Sequence, residues 1–409
     1  MLERGITMKL YKKILICVFL LILYVYVCNI CFLPNNIILM QGETLQLDTI
    51  LGLNIKDTDA MQASSNLNNS IVQQTGKMNL SLNLFEFLPV KEVTVDVIPQ
   101  TTVIPLGKAI GMKLYTNGVL VVGMSEIEGQ KPYEDSGIEA GDTILEINNE
   151  KINNTDELVD CVNRSQGKEI EVTYVHEEEE KTTYLEPAKT AENEYKLGLW
   201  VRDAAAGVGT LTFYEPSTER FACLGHGIND VDTYELIDIA SGELVTTNIL
   251  DIVKGTDGAP GEIRGSIERG VTLGQIEKNT AFGVYGKMSN LGRLNVSNSA
   301  EVEVANRSEI QTGKAEILCE LENGKTERYE IEIQKLFLEN NQDNKSMLIK
   351  VTDEELIEKT GGIIQGMSGA PILQNGKFIG AVTHVLVNDS KVGYAVFADM
   401  MIKQMREVE

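Results

Sequence analysis

Gly361-Gly362-Ile363-Ile364-Gln365-Gly366-Met367-Ser368-Gly369-Ala370-Pro371-Ile372-Leu373 sets a serine between glycines, with apolar, strand-like runs on either side. A serine hydroxyl becomes a useful nucleophile only when a base takes its proton and nearby donors hold the oxyanion it creates. Gly366 and Gly369 let the backbone turn sharply and aim its N–H groups at one point, which a Cβ would hinder. Gly, Ser and Pro also dominate ordinary turns, and in isolation the stretch is no more than one. Leu224-Gly225-His226-Gly227 lies upstream, and Asp353 falls between the two, so a histidine, an acid and a serine stand in order along the chain.

The surroundings are all-β from about Leu197 onward. Short apolar segments alternate with glycine turns: Gly198-Leu199-Trp200-Val201, Gly207-Val208-Gly209-Thr210-Leu211, Ala281-Phe282-Gly283-Val284-Tyr285 and Gly380-Ala381-Val382-Thr383-His384-Val385. Turn signals at such intervals predict a sandwich or barrel, and the length suits two closed β-barrels in tandem. Asp353 to Lys359 is the exception, a short helical pattern. In an all-β region the order His226, Asp353, Ser368 is the chymotrypsin-like one, distinct from those of subtilisin and the α/β-hydrolases. Asp230, Asp232 and Asp257 are rival acids, and Asp353 equally suits an N-cap before Glu354-Glu355-Leu356. His384, on a strand, reads as a hydrogen-bonded core residue, and Cys223 as a small buried hydrophobe rather than a thiol nucleophile.

Upstream the composition changes twice. Ile14 to Leu33 is the one long apolar run, long enough to span a bilayer, and Arg4, Lys9, Lys12 and Lys13 precede it. The positive-inside rule then keeps residues 1–35 as a cytoplasmic tail and signal-anchor and exports the remainder; a cleavable signal peptide is the competing reading, against which stands the lack of a clear small-x-small site closing the run. Residues 36–99 read as a polar linker ending in two strands, marked by Met78, Leu80, Leu82 and Leu84 and by Val93, Val95 and Val97 at period two. Cys17, Cys28 and Cys31 fall in the anchor, and Cys161, Cys223 and Cys319 are scattered, so no disulfide framework follows. The formal net charge of −24 repels phosphate backbones and argues against nucleic acid as a partner. No metal motif or phosphate loop is present, and no cofactor is expected.

Residues 100–187 carry Gly118-Val119-Leu120-Val121-Val122-Gly123, then Asp135-Ser136-Gly137-Ile138-Glu139-Ala140-Gly141-Asp142-Thr143-Ile144-Leu145-Glu146-Ile147-Asn148. With a following amphipathic helix (Thr155 to Asn163) and closing strand, this resembles a PDZ domain. That resemblance implies a peptide added as a strand to an open edge along Leu114, Tyr115, Thr116, Asn117, Gly118 and Val119, beside the helix. Glu177 to Glu180 reads as a solvated hairpin tip, and His176 as an exposed histidine.

Anchor, PDZ module and residues 188–409 together resemble the stage IV sporulation protein B family of serine peptidases. The strings that carry this are Gly198 to Thr210, Leu224-Gly225-His226-Gly227-Ile228, and Thr360 to Pro371 running on to Val385. The resemblance implies His226 as general base, Ser368 as nucleophile, and Asp353 as the carboxylate that fixes the imidazole. Backbone N–H groups of Gly366 and Ser368 become the oxyanion hole, where one donor is worth ~3–4 kcal/mol of barrier. It also implies an exported endopeptidase in the space between the forespore membranes, cutting a membrane-tethered inhibitor of an intramembrane metalloprotease and so releasing sigma-factor processing. Self-cleavage before the PDZ module would make the processed segment a ligand of its own. Two other readings are a general envelope quality-control PDZ protease and a non-catalytic PDZ scaffold.

Overall fold

The computed structural model describes residues 13–21, 23–24, 27, 35–44, 53–57, 72, 74–84, 88–177, 179–294, 300–338 and 343–407. The chain divides into two units, 1–101 and 102–409. In the first, residues 13–21 are helical. No helix among the described residues is long and apolar enough to cross a membrane. The expected anchor at 14–33 runs partly outside them.

Four strands follow: β1 (Asn36–Met40), β2 (Leu53–Asp57), β3 (Gly76–Leu84) and β4 (Leu88–Ile98), in the sheet order β1-β4-β3-β2. The expected pair is the antiparallel β3–β4, with Leu80 opposite Val93. The expected linker, however, contributes β1, which lies parallel to β4, and β2, which lies antiparallel to β3. Leu39, Val72, Leu80, Val93, Val95 and Val97 form a small core of their own. Asn36-Ile37-Ile38-Leu39-Met40 is one of the short apolar patches of the expected linker, and the structure makes it a strand of this sheet.

The second unit is organised by β5 (Thr102–Met124), a strand of 23 residues. The PDZ module follows as β6 (Thr143–Ile147), β7 (Glu150–Lys151), α1 (Thr155–Arg164), β8 (Ile170–His176) and β9 (Glu179–Leu185). A small hairpin, β10 (Ala188–Lys189) and β11 (Tyr195–Lys196), leads out of it. The Asn154 side chain caps α1 by accepting from Glu157 N at 2.9 Å, which satisfies one of the free amides at the helix start. His176 is half-buried rather than free: its Nδ1 lies 2.8 Å from Asp142 Oδ1, in the Gly141-Asp142 turn.

Next come β12 (Leu199–Glu215), β13 (Arg220–Cys223), β14 (Ile239–Val253), β15 (Glu262–Thr280) and β16 (Gly283–Met288). With β5 they follow the order β12-β13-β16-β15-β14-β5, and pairing of β12 with β5 brings the path back on itself. Leu106, Ile110, Met112 and Leu114 of β5 lie in this barrel's core, whereas Val119 and Val121 lie in the PDZ core. β5 is therefore shared between the two modules. The first half of β5 is a barrel strand, and the PDZ module sits between β5 and β12.

That arrangement also occupies the N-terminal part of the predicted peptide groove. Leu114 and Tyr115 are paired on one side with Ala205 and Ala204 and on the other with Gly242 and Ser241, while Thr116 lies opposite Ile239. Val119 pairs with Ile144, and Leu120 is held between Thr143 and Arg202. Leu114 and Tyr115 therefore offer no edge for a peptide to join, while Thr116 and Val119 are each paired on one side.

After β17 (Val302–Glu303), a second barrel closes in the order β18-β19-β20-β23-β22-β21. It comprises β18 (Gly313–Glu322), β19 (Lys325–Leu336), β20 (Met347–Val351), β21 (Pro371–Gln374), β22 (Lys377–Leu386) and β23 (Asp389–Phe397). A short helix α2 (Glu354–Thr360) sits between β20 and β21, and α3 (Ala398–Arg406) ends the chain. The two barrels meet through Phe213 and Phe378, edge to face at 5.3 Å, and through α3, whose Arg406 pairs with buried Glu215.

Gly118 shows how tightly β5 and β6 are fitted: its φ is +96°, and a Cβ there would lie 2.4 Å from Ile144 O. Gly118→Ala is expected to destabilise the unit by about 1–3 kcal/mol, read as a lower urea midpoint.

Candidate active site

Two loops meet between the barrels. The first leaves β13 through Leu224 and Gly225, both left-handed at φ +71° and +75°, and delivers His226. Leu224 N donates to Thr210 O at 3.2 Å, the last rung between this chain and β12. Gly225 is needed for fit as well as turn, since a Cβ would lie 3.1 Å from Val396 and 3.2 Å from Thr383. Beyond His226, the buried Asn279 side chain bonds Ile228 N, Ile228 O and Ile237 O and so pins the following loop. Arg202 of β12 pairs with Asp230 and, at 2.8 Å, with Asp232 of the same loop.

The second loop carries Ser368. Gly361, left-handed at φ +77°, ends α2. Ile363 N then donates to Ser390 O at 2.7 Å and Gln365 N to Gly261 O at 2.8 Å. Thr210 Oγ1 donates to Gly366 O at 2.6 Å, tying the loop to the first barrel. Gly369 has φ +93°, and a Cβ would lie 2.5 Å from Leu224 N and 2.6 Å from Thr210 O. Only glycine permits that approach. The alternating amides Ile363, Gln365, Met367 and Gly369 all have carbonyl partners, whereas the N–H groups of Gly366 and Ser368 have none among the described residues. Those two amides remain available to an anion.

His226 and Ser368 line the same cleft, about 980 Å³ in volume, together with Thr383 and His384 of β22 and with β12. His226 Nδ1 lies 2.7 Å from Gly227 O. A carbonyl can only accept, so Nδ1 carries the proton and the Nε2 lone pair is free to act as base. Ser368 Oγ donates to Thr383 O at 2.9 Å, so in this state its proton points at a carbonyl. A rotation about χ1 is required before it points at an imidazole.

Asp353 does not join them. Its Oδ1 accepts from Leu356 N at 3.0 Å and caps α2, while Oδ2 accepts from Glu330 N at 3.2 Å. The expected triad carboxylate is thus corrected to a helix cap, because both its oxygens serve backbone amides of the second barrel. The rivals are engaged elsewhere too: Asp230 with Arg202 and the amides of Asp232 and Thr233, Asp232 with Arg202, and Asp257 with Ser390 N. The hydrogen-bond partner of His226 Nδ1 is instead the Gly227 carbonyl, which residue-type reasoning cannot detect.

His384 is likewise not a core residue. Its ring lies 5.2 Å from that of His226 across the cleft wall. Desolvation, and secondarily the charges of His226 and Lys345, push it down to about 4. Burial lowers His226 below its ordinary value against the opposing pull of the Gly227 carbonyl. Both imidazoles are neutral at pH 7. Cys223, buried in β13, has its thiol pushed up by desolvation and is inert as a nucleophile.

The SpoIVB peptidase S55 family model matches residues 193–402, and a PDZ-domain model matches residues 107–186. The chain belongs to the SpoIVB peptidase S55 family. It is a serine peptidase carrying a PDZ domain. Among solved structures it is similar to the active form of the Rv3671c protease from M. tuberculosis, at 11% identity over 50% of this chain and 74% of that one, with a TM-score of 0.29. It is also similar to the PDZ domain of the SdrC-like protein Lmo2051 from Listeria monocytogenes, at 20% identity over 21% of this chain and 87% of that one, with a TM-score of 0.19. No curated protein matches the chain.

Two outcomes follow for this S55 peptidase. An imidazole base works only when neutral, and its depressed pKa places the acid limb of kcat/KM below pH 6.5. The same depression means that protonation of His226 favours the unfolded chain, so stability falls as pH drops below 6.5 toward its folded value. A pH–rate profile with its acid limb above 6.5 would contradict the first. Asp353→Asn keeps a good cap and is expected to keep activity within a few-fold, while Asp353→Ala costs ~1 kcal/mol of stability. A loss near 10⁴-fold in kcat for Asp353→Asn would instead return Asp353 to the triad.

Proposed function

We propose that this serine peptidase is a membrane-anchored endopeptidase of sporulation, in which Ser368 attacks the scissile carbonyl and His226 serves as its base. The observation that best supports it is the convergence of Ser368, His226 and the uncommitted amides of Gly366 and Ser368 on one cleft. Ser368 Oγ turns from Thr383 O toward Nε2 of His226 and gives up its proton as the C–O bond forms. The amides of Gly366 and Ser368 hold the resulting oxyanion. The imidazolium, steadied through Nδ1–H by the Gly227 carbonyl, returns the proton to the leaving amine, and water then releases the acyl group by the same path.

The apolar run at 14–33 with its preceding cations supports a retained anchor, with the catalytic unit exported into the space between the forespore membranes. The substrate in this reading is a membrane-tethered inhibitor of an intramembrane metalloprotease, and its cleavage triggers late sigma-factor processing. The family to which the chain belongs supports that assignment over general quality control. Ser368→Ala should lower the rate of peptide hydrolysis by roughly 10⁶-fold with an unchanged circular dichroism spectrum, and should block sigma-factor processing in sporulating cells. A fluorophosphonate adduct should map to Ser368 by mass spectrometry. Full hydrolysis by the variant, or an adduct elsewhere, would remove Ser368 from the mechanism.

A further inference from the structure

The two uncommitted amides of the cleft belong to a run of three peptide planes. A trans peptide is flat, so its C=O and the following N–H point in opposite directions, and holding one aims the other. Gly366 N–H shares its plane with Gln365 O, which accepts from Ile263 N of β15 at 2.8 Å. Ser368 N–H shares its plane with Met367 O, which accepts from Ala370 N at 2.9 Å. Between them lies the Gly366–Met367 plane, hinged to one donor plane at Gly366 Cα and to the other at Met367 Cα.

That middle plane is held at two points. Met367 N donates to Ile364 O at 3.1 Å and closes a four-residue turn, whose third residue, Gly366, has φ +97°. A left-handed third residue marks a type II turn. In type I the Gln365–Gly366 plane is turned over, and the Gly366 N–H with it, while the closing bond from Met367 N is the same. Closure of the turn therefore does not decide where the Gly366 N–H points. The second point lies outside the loop. Thr210 Oγ1 of β12 donates to Gly366 O at 2.6 Å, and among the described residues that carbonyl has no other donor.

Thr210 is a firm support. It is buried, paired with Ala109 of β5, and its carbonyl accepts from Leu224 N at 3.2 Å. Its branched side chain has few χ1 positions to choose from.

We propose that Thr210 is a positioning residue of the oxyanion hole: its hydroxyl fixes the Gly366–Met367 plane and so keeps the Gly366 and Ser368 N–H groups converging on the cleft. The inference rests on the peptidase reading above. With the hydroxyl removed, the Gly366 carbonyl loses its donor and the plane turns to find another. Gly366 has no Cβ to resist that turn. Both donor planes hinged to it are pulled along, and the oxyanion meets amides that no longer converge. Ser368 and His226 keep their own contacts, to Thr383 O and Gly227 O, so nucleophile and base are left as they were.

The test compares the intact chain with its Thr210→Val, Thr210→Ala and Thr210→Ser variants. Valine has the shape of threonine and keeps the main-chain bonds at this position, so Thr210→Val deletes the hydroxyl alone. It should lower kcat by about 10- to 100-fold, short of the roughly 10²- to 10³-fold loss on deleting an oxyanion donor outright. KM should stay within about threefold, as for an interaction made only in the transition state, and the acid limb of the pH–rate profile should not move. Thr210→Ser restores the donor and should bring kcat back to within about threefold of the parent. A peptide trifluoromethyl ketone, whose carbonyl carbon takes Ser368 Oγ and leaves an oxyanion in the hole, should lose affinity in Thr210→Val by the same factor as kcat/KM. Rates are taken per folded molecule, counted by circular dichroism, and Thr210→Ala repeats the deletion should Thr210→Val not fold. An unchanged kcat, a loss carried by KM, no rescue by Thr210→Ser, or a ketone bound alike by every variant would overturn the role of Thr210 and leave the peptidase standing. Absence of a fluorophosphonate adduct at Ser368 in the unaltered chain would instead remove the peptidase reading itself.

Discussion

The antiparallel pairing of β5 with β12 is the constraint on which the rest of the second unit depends. It closes the first barrel, and its far end supplies Trp200, Val201 and Arg202 as partners to Gly123, Val121 and Leu120 in the PDZ module. A strand pair of this length has little freedom to slip, because a shift of one residue would turn Ile110, Met112 and Leu114 from the core toward water. Two of its three register irregularities, at Trp200/Val201 and Arg202/Ala204, fall where the pair passes from one core to the other. Bulges there let each half keep its own inward face.

From that pair the site follows by contact. Thr210 of β12 accepts from Leu224 N through its carbonyl and donates to Gly366 O through its hydroxyl, so one residue touches both the base loop and the nucleophile loop. Gly369 approaches the same carbonyl too closely for a Cβ. Arg202, further along the strand, holds Asp230, whose side chain is almost fully buried and would be costly to leave unpaired. The alignment of His226 with Ser368 is therefore a property of how two barrels dock on one strand.

The sequence made legible what depends on residue type and local period. Glycines around Ser368 and His226, the strand periodicity, the PDZ core string and the chain order of base and nucleophile were all readable. What stayed hidden depends on partners remote in sequence. Asp353 offered a carboxylate in the expected order, yet only the positions of Glu330 N and Leu356 N show that it is spent on capping. Gly227 contributes a carbonyl, which every residue has. His384 looked like core because strand residues usually are, and only the fold sets it beside His226. The first half of β5 carries no mark distinguishing a barrel strand from a PDZ strand, since both are period-two apolar segments.

The resting arrangement also has an energetic consequence. Ser368 gives its proton to Thr383 O, and His226 is neutral with its Nδ1–H committed to Gly227 O. Neither group is held in a high-energy state, and exchanging one hydroxyl acceptor for another costs only about 1 kcal/mol net. A carbonyl orienting the imidazole fixes its tautomer as a carboxylate would, but it offers less to the imidazolium formed during attack, being a dipole rather than a charge. Burial of His226 works in the same direction, against the charged form. In the proposed mechanism, rate acceleration leans on the Gly366 and Ser368 amides and on accurate placement of the scissile bond, because a preorganised oxyanion site and bound substrate retain large catalytic power even where base assistance is weak.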